Sequence, residues 1–279
     1  MNAQPNAECK PEQKRASGLW LTALAICYVI IWWQDSLWLT APADTLPLVS
    51  GLILLLFLGR PWIFLKTRKS ISQPFCIIAI ALIAFGIAIN IMILSALGWT
   101  LLLTVFLRSY FQLPRYWAQL LPLAFFAFPW VATDLPMVGW WFRISAATVS
   151  AWIFQSLGFL VMRQGADIQV QGLPISVEAA CSGLNLLQAL LLAGAVLGLL
   201  QLRGRTSYWG FLLSLPLLAW FANTCRILVI TAVALSSDTT FAAGLFHTWG
   251  GLLVVVLMFG AAQFLVTFLS KTGPKEVGT

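Results

Sequence analysis

The chain has 279 residues, of which 60% are hydrophobic and 9% are charged. A soluble domain carries about 25% charged residues, so this composition excludes an ordinary soluble fold and requires lipid as the solvent. The 16 Lys and Arg exceed the 9 Asp and Glu, which we interpret as a record of membrane topology, because basic residues collect in short cytoplasmic loops. No basic stripe interleaves with aromatic residues, so nucleic-acid binding is not expected.

Apolar stretches follow one another along most of the chain. A helical span needs about 20 apolar residues. The stretch 75–111 is too long for one span, and we divide it near Met92–Ser95. The first apolar run lacks an A-x-A-like cleavage site, so it is expected to be a retained helix. The predicted spans are 18–34, 46–59, 75–92, 94–111, 116–133, 182–202, 207–235 and 245–269.

The basic residues indicate which stretches cross the bilayer. If every basic cluster is cytoplasmic, spans must come in pairs between clusters, and both termini lie inside. A ninth apolar stretch, 139–162, would break this pairing. Its Trp140, Trp141 and Arg143, with several Ser and Thr, favour a helix that lies flat in the interface. The clusters are Lys10/Lys14/Arg15, Arg60/Lys66/Arg68/Lys69, Arg108/Arg115, Arg203/Arg205 and Lys271/Lys275.

Two short runs after the ninth stretch alternate apolar and polar residues. Ile168 and Val170 belong to the first run, Ile175 and Val177 to the second, and Gly172-Leu-Pro174 separates them. Alternation over a few residues around a turn is typical of a β-hairpin. We expect this hairpin to lie on the outer surface.

The predicted fold is an all-α polytopic membrane protein with about eight transmembrane helices, one interfacial helix and a short β-hairpin on the outer face. Residues 1–17 and 271–279 are expected to be cytoplasmic tails of a single transmembrane domain, 18–270. The candidate catalytic residues lie in its second half, about 113–269.

Three polar residues mark the last three predicted spans. Counted from the basic residues at the cytoplasmic ends of their spans, Cys181, Arg226 and His247 lie 22, 21 and 24 residues up the helix. At about 1.5 Å per residue these heights are about 33, 31 and 36 Å. The sequence therefore predicts a thiol, a guanidinium and an imidazole in one layer near the outer interface.

Cys181 lies at the start of the sixth predicted span, directly before residue 182, and is followed by the small residues Ser182 and Gly183. A helix N-terminus and a neighbouring cation lower the pKa of a thiol, and the thiolate is the nucleophile. Gly183 would let a substrate backbone approach closely. A lone membrane cysteine is more often a small buried hydrophobe, and this interpretation is kept for Cys9, Cys27, Cys76 and Cys225.

Arg226 lies within an otherwise apolar helix, where a charge is costly and suggests function. It could stabilise a thiolate or an oxyanion, with Asn223 one turn earlier; a snorkelling arginine is the alternative. His247, the single histidine, can act as general base and then general acid, or be a satisfied interfacial residue. Glu178 could orient His247, pair with Arg226 or stay a solvated carboxylate. No metal or nucleotide motif occurs, so no cofactor is expected.

At these residues the chain resembles the exosortase/archaeosortase family. The resemblance runs from about Leu113 to Leu269. It departs at Glu178, which lies three residues before the cysteine instead of two, and at Asn185, where an arginine often follows. It is carried by Gly158, Arg163, Gly165, Ile168, Gly172, Val177-Glu-Ala-Ala-Cys-Ser-Gly-Leu184, Asn223-x-x-Arg226 and His247.

The resemblance implies a multi-pass cysteine peptidase or transpeptidase of the bacterial inner membrane, with its active site at the outer face. Its partners would be membrane-anchored secreted proteins with a C-terminal sorting signal, made of a short Pro-containing motif, one transmembrane helix and a basic tail. Cys181 would form a thioacyl intermediate, Arg226 would stabilise charge, His247 would shuttle the proton, and a cell-surface acceptor would receive the acyl group.

Two alternatives remain open. One is a membrane peptidase that only hydrolyses. The other is a non-enzymatic transporter or polysaccharide-export partner, in which Arg226 binds an anion and Cys181 is inert.

Overall fold

The structure, a computed structural model, describes residues 11–40, 42–67, 69–176, 184–202, 204–236 and 239–272. The chain divides into two compact units, one up to Asp134 and the other from Leu135. Most described residues are helical, in agreement with the predicted class, and three described helices have the length and apolar composition to cross a membrane: Glu12–Trp33, Met92–Tyr110 and Arg205–Ser236. The predicted number of eight spans stays a prediction.

The first unit consists of helices and one short two-stranded sheet. Its elements are α1 (Pro11–Trp33), α2 (Leu37–Thr40), α3 (Pro42–Thr45), a 3₁₀ turn (Leu46–Val49), α4 (Ser50–Leu58), β1 (Ile63–Phe64), α5 (Gln73–Ala88), α6 (Met92–Tyr110), β2 (Phe111–Gln112), α7 (Trp117–Phe125) and α8 (Trp130–Asp134).

Helices α5 and α6 form a hairpin, so the division of the long apolar stretch is confirmed. The turn lies slightly earlier than predicted, at 89–91, and Asn90 adopts a left-handed conformation with φ of 55°. Asparagine tolerates this region better than most residues. The Ile91 N–H donates to the Gly86 carbonyl at 2.8 Å and closes the turn. Asn90 was expected inside the third span, and that assignment is wrong.

The fifth predicted span is not one continuous helix. Four residues that end in Pro129 separate α7 from α8, because proline disfavours helical geometry in the residue before it and supplies no N–H. Side chains satisfy the carbonyls that the break releases. The Trp130 Nε1 donates to the Phe125 carbonyl at 3.0 Å, and the Tyr28 hydroxyl donates to the Ala127 carbonyl at 2.8 Å. Such replacement is what permits a broken helix at membrane depth.

The first three basic clusters converge at one end of this unit. Strand β1 pairs with β2, and the Leu65 and Lys69 N–H groups donate to the Tyr110 and Ser109 carbonyls at 2.9 and 3.2 Å. The Gln13 amide near the start of α1 donates to the Leu65 carbonyl at 3.0 Å. If these clusters share the cytoplasmic side, they must lie at the same end of the unit, as they do here. The side of the membrane that this end faces stays a prediction.

The second unit contains the residues singled out for chemistry. Its elements are α9 (Pro136–Ser156), β3 (Val161–Gln164), β4 (Asp167–Val170), β5 (Leu173–Ser176), α10 (Leu184–Gln201), α11 (Arg205–Ser236) and α12 (Thr239–Thr272).

The predicted β-hairpin is confirmed as the antiparallel pair β4–β5, in which Ile168 lies opposite Ile175. Its turn is narrower than expected. Gln171 and Gly172 have φ of 53° and 82°, the two left-handed positions of a type I′ turn. Leu173 and the proline after it therefore belong to β5 and not to the loop.

A third strand, β3, pairs with β4 on the other side, which sequence analysis did not anticipate. The predicted helix over 139–162 is too long, because α9 ends at Ser156 and Gly158 has φ of 88°. Glycine adopts this conformation without strain and lets the chain turn into β3. Helix α9 is not among the described helices of crossing composition; its flat orientation stays a prediction.

The sheet packs one face against α9 and α11. Ile168 and Val170 of β4 are buried against Phe154 and several alanines of α9. They also contact Ile227 of α11. The alternation in β4 thus reflects an apolar face turned to the helices and a polar face turned away. This contact sets the sheet at the level of Ile227.

Candidate functional site

The last three helices pack against one another, α11 against both α10 and α12. Three residues separate α10 from α11, and two separate α11 from α12. Connections this short join antiparallel neighbours. Helices α10 and α12 therefore run in the same direction, with α11 opposite to both.

Two glycines of α10 set its register on α11. A Cβ at Gly194 would overlap the Leu215 side chain, and a Cβ at Gly198 would meet the Tyr208 and Phe211 rings at 3.0–3.2 Å. A side chain at position 194 would force Leu215 to move, and one at position 198 would require the two rings to give by a few tenths of an ångström, so both glycines permit the close approach of these helices. From the Gly194–Leu215 contact, the first residue of α10 is ten residues away and Arg226 is eleven residues away, which correspond to about 15 and 17 Å.

A reciprocal amide pair sets the register of α10 on α12. The Gln201 Nε2 donates to the Gln263 Oε1 at 2.9 Å, and the Gln263 Nε2 donates to the Gln201 Oε1 at 3.2 Å. Leu184 is 17 residues from Gln201, and His247 is 16 residues from Gln263. Both therefore lie about 24–26 Å from this pair along parallel helices.

The two registers bring three backbone positions to one level: Leu184 at the start of α10, Arg226 in α11 and His247 in α12. The sheet lies at the same level through Ile227, and β5 ends at Ser176. The predicted site residues Cys181, Glu178, Ser182 and Gly183 lie between the end of β5 and the start of α10, outside the described residues. The side chain of His247 also lies outside them, whereas its backbone belongs to α12.

Arg226 is half-buried, and its Nε is shielded from solvent with no hydrogen-bond acceptor among the described residues. Asn223, one turn earlier, is 1% exposed. A buried N–H without an acceptor is costly and is rare in proteins. The guanidinium is therefore suited to accept an anionic partner, which is the property that an oxyanion or a thiolate requires.

One contact near Arg226 was missed by sequence analysis. The Trp220 Nε1 donates to the Ser145 Oγ at 2.8 Å, which ties α9 to α11 six residues before Arg226. The sequence predicts that the serines of α9 form the polar face of an interfacial helix. The Ser145 hydroxyl instead accepts a hydrogen bond from a side chain of α11. In the sequence, this hydrogen bond is signalled only by a serine in a helix next to a predicted span.

A half-open cavity of about 560 Å³ lies on the sheet. Arg163 and Asp167 line it together with apolar side chains that include Met162 and Pro174. The Arg163 Nη1 donates to the Gly165 carbonyl at 2.7 Å and braces the β3–β4 turn. Four of the seven described lining residues are polar or charged and three are apolar, so the cavity offers both kinds of surface to a ligand.

The described thiols give no competing site. Cys27, Cys76 and Cys225 are free and half-buried; their interpretation as structural residues stays a prediction, and Cys9 lies outside the described residues. Within the described ranges, no three His, Cys, Asp or Glu side chains lie together in a group that could hold a metal.

Helices of membrane-crossing composition and a polar site at one end of three packed helices define a multi-pass helical membrane protein with a candidate active site. The chain matches the transmembrane exosortase family over residues 11–266, nearly its whole length, and it belongs to that family. The match extends the resemblance well before Leu113. The family consists of membrane protein-sorting transpeptidases in general. No curated protein and no solved structure gives a significant match.

Proposed function

We propose that this protein cleaves secreted proteins at a C-terminal sorting signal through a thioacyl intermediate on Cys181 and transfers the new carboxyl end to a cell-surface acceptor. Family membership supports the class of reaction. The observation that carries the residue assignment is the common level of Leu184, Arg226 and His247. Cys181 precedes Leu184 by three residues in the sequence.

The proposed reaction has two steps that balance. The Cys181 thiolate attacks the peptide carbonyl carbon; the C–N bond breaks, and the leaving amine takes a proton from protonated His247. The thioacyl carbon is then attacked by a nucleophilic group of the acceptor, whose proton passes to His247, and the C–S bond breaks to restore the thiolate. One histidine thus acts first as acid and then as base.

Arg226 is proposed to stabilise the oxyanion of both tetrahedral intermediates. Its Nε is buried and lacks an acceptor among the described residues, so none of these residues competes with an oxyanion for this donor. Asn223, buried on the same side of α11 one turn away, is proposed to hold the guanidinium in place. Removing a preorganised donor to an oxyanion costs about 10²–10³ in kcat.

The sorting motif is proposed to bind in the cavity on the sheet. β5 borders this cavity and leads along the chain toward Cys181, so a peptide held there would pass its scissile bond to the thiol. The substrate helix would lie in the bilayer beside the enzyme, and its basic tail would hold that helix in register at the cytoplasmic side.

The test uses the full-length protein coexpressed with a secreted reporter that carries a sorting signal, and mass spectrometry of the reporter C-terminus. Cys181→Ala is expected to abolish removal of the tail, whereas Cys225→Ala, a free thiol beside Arg226, should leave processing intact. Arg226→Met should lower the rate about 10²-fold or more. Equal processing by wild type and Cys181→Ala would refute the proposal.

The same spectra separate transfer from hydrolysis. A reporter whose new C-terminus is linked to another molecule supports transfer, and a free carboxylate supports the purely hydrolytic alternative. In His247→Ala, both steps should slow, because the leaving amine has no acid and the acceptor has no base, so removal of the reporter tail should fall well below the wild-type rate. A reporter released at the wild-type rate by His247→Ala would remove this residue from the mechanism.

A further inference from the structure

A second polar cavity, of about 270 Å³, lies in the first unit and is unrelated to the site above. It is bounded by the segment that leads into α5, including Lys69, Ser70 and Ser72, and by the last turns of α6, including Arg108. The backbone bond from Lys69 to Ser109 closes one side. The cavity lies at the end of the unit where the three basic clusters converge.

The described lining of the cavity carries two positive charges and includes no carboxylate. Neither Lys69 nor Arg108 forms an ion pair with any described residue, and the Arg108 guanidinium lies 5.5 Å from the centre of the Trp117 ring. The N-terminus of α5 adds to this potential, because Ser72 makes no side-chain capping bond to its free N–H groups. Two cations, hydroxyl groups and a helix N-terminus together form an environment for a phosphate.

The lining of the cavity also includes apolar side chains, and this apolar surface continues along the helices. Phe75, Leu101 and Val105 line it, and Phe75 is 52% exposed. One turn further along each helix, Ile78 and Leu97 are 51% and 43% exposed. A ligand held by its phosphate would therefore have a hydrocarbon surface beside it, where its remaining chain could extend into the bilayer.

We propose that this cavity binds the headgroup of an anionic phospholipid, with the phosphate between Lys69 and Arg108 and the acyl chains along α5 and α6. The volume accommodates a headgroup but not a whole lipid. A free phosphate would use the two cations and would gain nothing from the apolar track, which favours the lipid. The proposal rests on the geometry of the first unit and is independent of the peptidase chemistry.

The experiment reconstitutes the full-length protein in vesicles of phosphatidylcholine and phosphatidylglycerol and measures, by native mass spectrometry, the lipid retained after extraction. Wild type should retain phosphatidylglycerol preferentially. Lys69→Gln and Arg108→Gln should each lower that preference about 5-fold, and the double variant about 25-fold. Lys66→Gln and Arg115→Gln, at the same end but away from the cavity lining, are the matched controls and should retain it.

A second arm adds inorganic phosphate to the same vesicles. Displacement of the lipid only at concentrations far above that of phosphatidylglycerol supports the lipid headgroup. Displacement at comparable concentrations would overturn the proposal in favour of a small-anion site. Wild type without a lipid preference, or controls that lose it as much as the cavity variants do, would also overturn it. The thermal unfolding of every variant in phosphatidylcholine alone shows that each one is folded.

Discussion

The contact between Gly194 and Leu215 makes the register of α10 on α11 testable with one methyl group. A Cβ at position 194 would overlap the Leu215 Cδ1, and Leu215 is fully buried, so its side chain has no open space to enter. We predict that Gly194→Ala forces the two helices to separate or slide. Either movement shifts the start of α10 relative to Arg226.

The magnitude follows from the packing. Overpacking a close helix contact costs about 1–3 kcal/mol. Leu215→Ala alone should cost about 2–5 kcal/mol, because it removes a buried side chain and leaves a cavity. The double variant places the new methyl group in that cavity, so it should be about 1–3 kcal/mol more stable than the sum of the single changes. Gly210→Ala, on α11 with no atom within 4 Å of its Cβ, should be neutral or stabilising, since alanine favours helix by about 1 kcal/mol.

Stability is measured by unfolding in mild detergent, with circular dichroism as the readout. Activity is measured as the rate of tail removal in membranes. Gly194→Ala should lose stability and activity, and Leu215→Ala added to it should restore part of the activity. Additive costs in the double variant, or a Gly194→Ala protein as stable and active as Gly210→Ala, would refute the register on which the site assignment rests.

Three further predictions concern individual hydrogen bonds and use the same unfolding assay. Tyr28→Phe removes the donor to a carbonyl in the break between α7 and α8 and should cost about 1–3 kcal/mol; an unchanged melting temperature would contradict this role. Gln201→Leu removes the bonds between the two amides and leaves the Gln263 amide only its bond to the Thr267 hydroxyl, so it should destabilise more than the Gln201→Leu/Gln263→Leu double, with a coupling of about 1 kcal/mol; zero coupling would show that the pair does not hold α10 to α12. Ser145→Ala and Trp220→Phe break the same bond, so each should cost about 1 kcal/mol and the double little more, whereas full additivity would rule out that bond.

The predicted site depends on the heights of Cys181, Arg226 and His247 along their helices. Contacts between the helices give a more direct measure of the heights of Arg226, His247 and the start of α10. Counting residues from the cytoplasmic basic clusters assumed straight helices with a common baseline. The Gly194–Leu215 contact and the Gln201–Gln263 pair replace that baseline with contacts inside the bundle, much closer to the site. The heights of Arg226, His247 and the start of α10 then agree within about 3 Å.

Much of this protein could be predicted from local patterns. Apolar runs indicated the membrane and most helices, because a bilayer demands long uninterrupted stretches. Alternation at Ile168 and Val170 indicated the hairpin, since a strand with one buried face repeats every two residues. Family membership followed from the residues around Cys181, Arg226 and His247, which chemistry restricts to a few types.

Other features depend on partners distant in the sequence and could not be predicted. The break before α8 persists because Tyr28, 99 residues away, satisfies a released carbonyl, and no local pattern encodes that donor. Strand β3 exists because β4 offers a second edge, which competes with continuation of α9. The level shared by Arg226 and the start of α10 depends on a close approach at Gly194, and packing between helices, not propensity within them, sets such a distance.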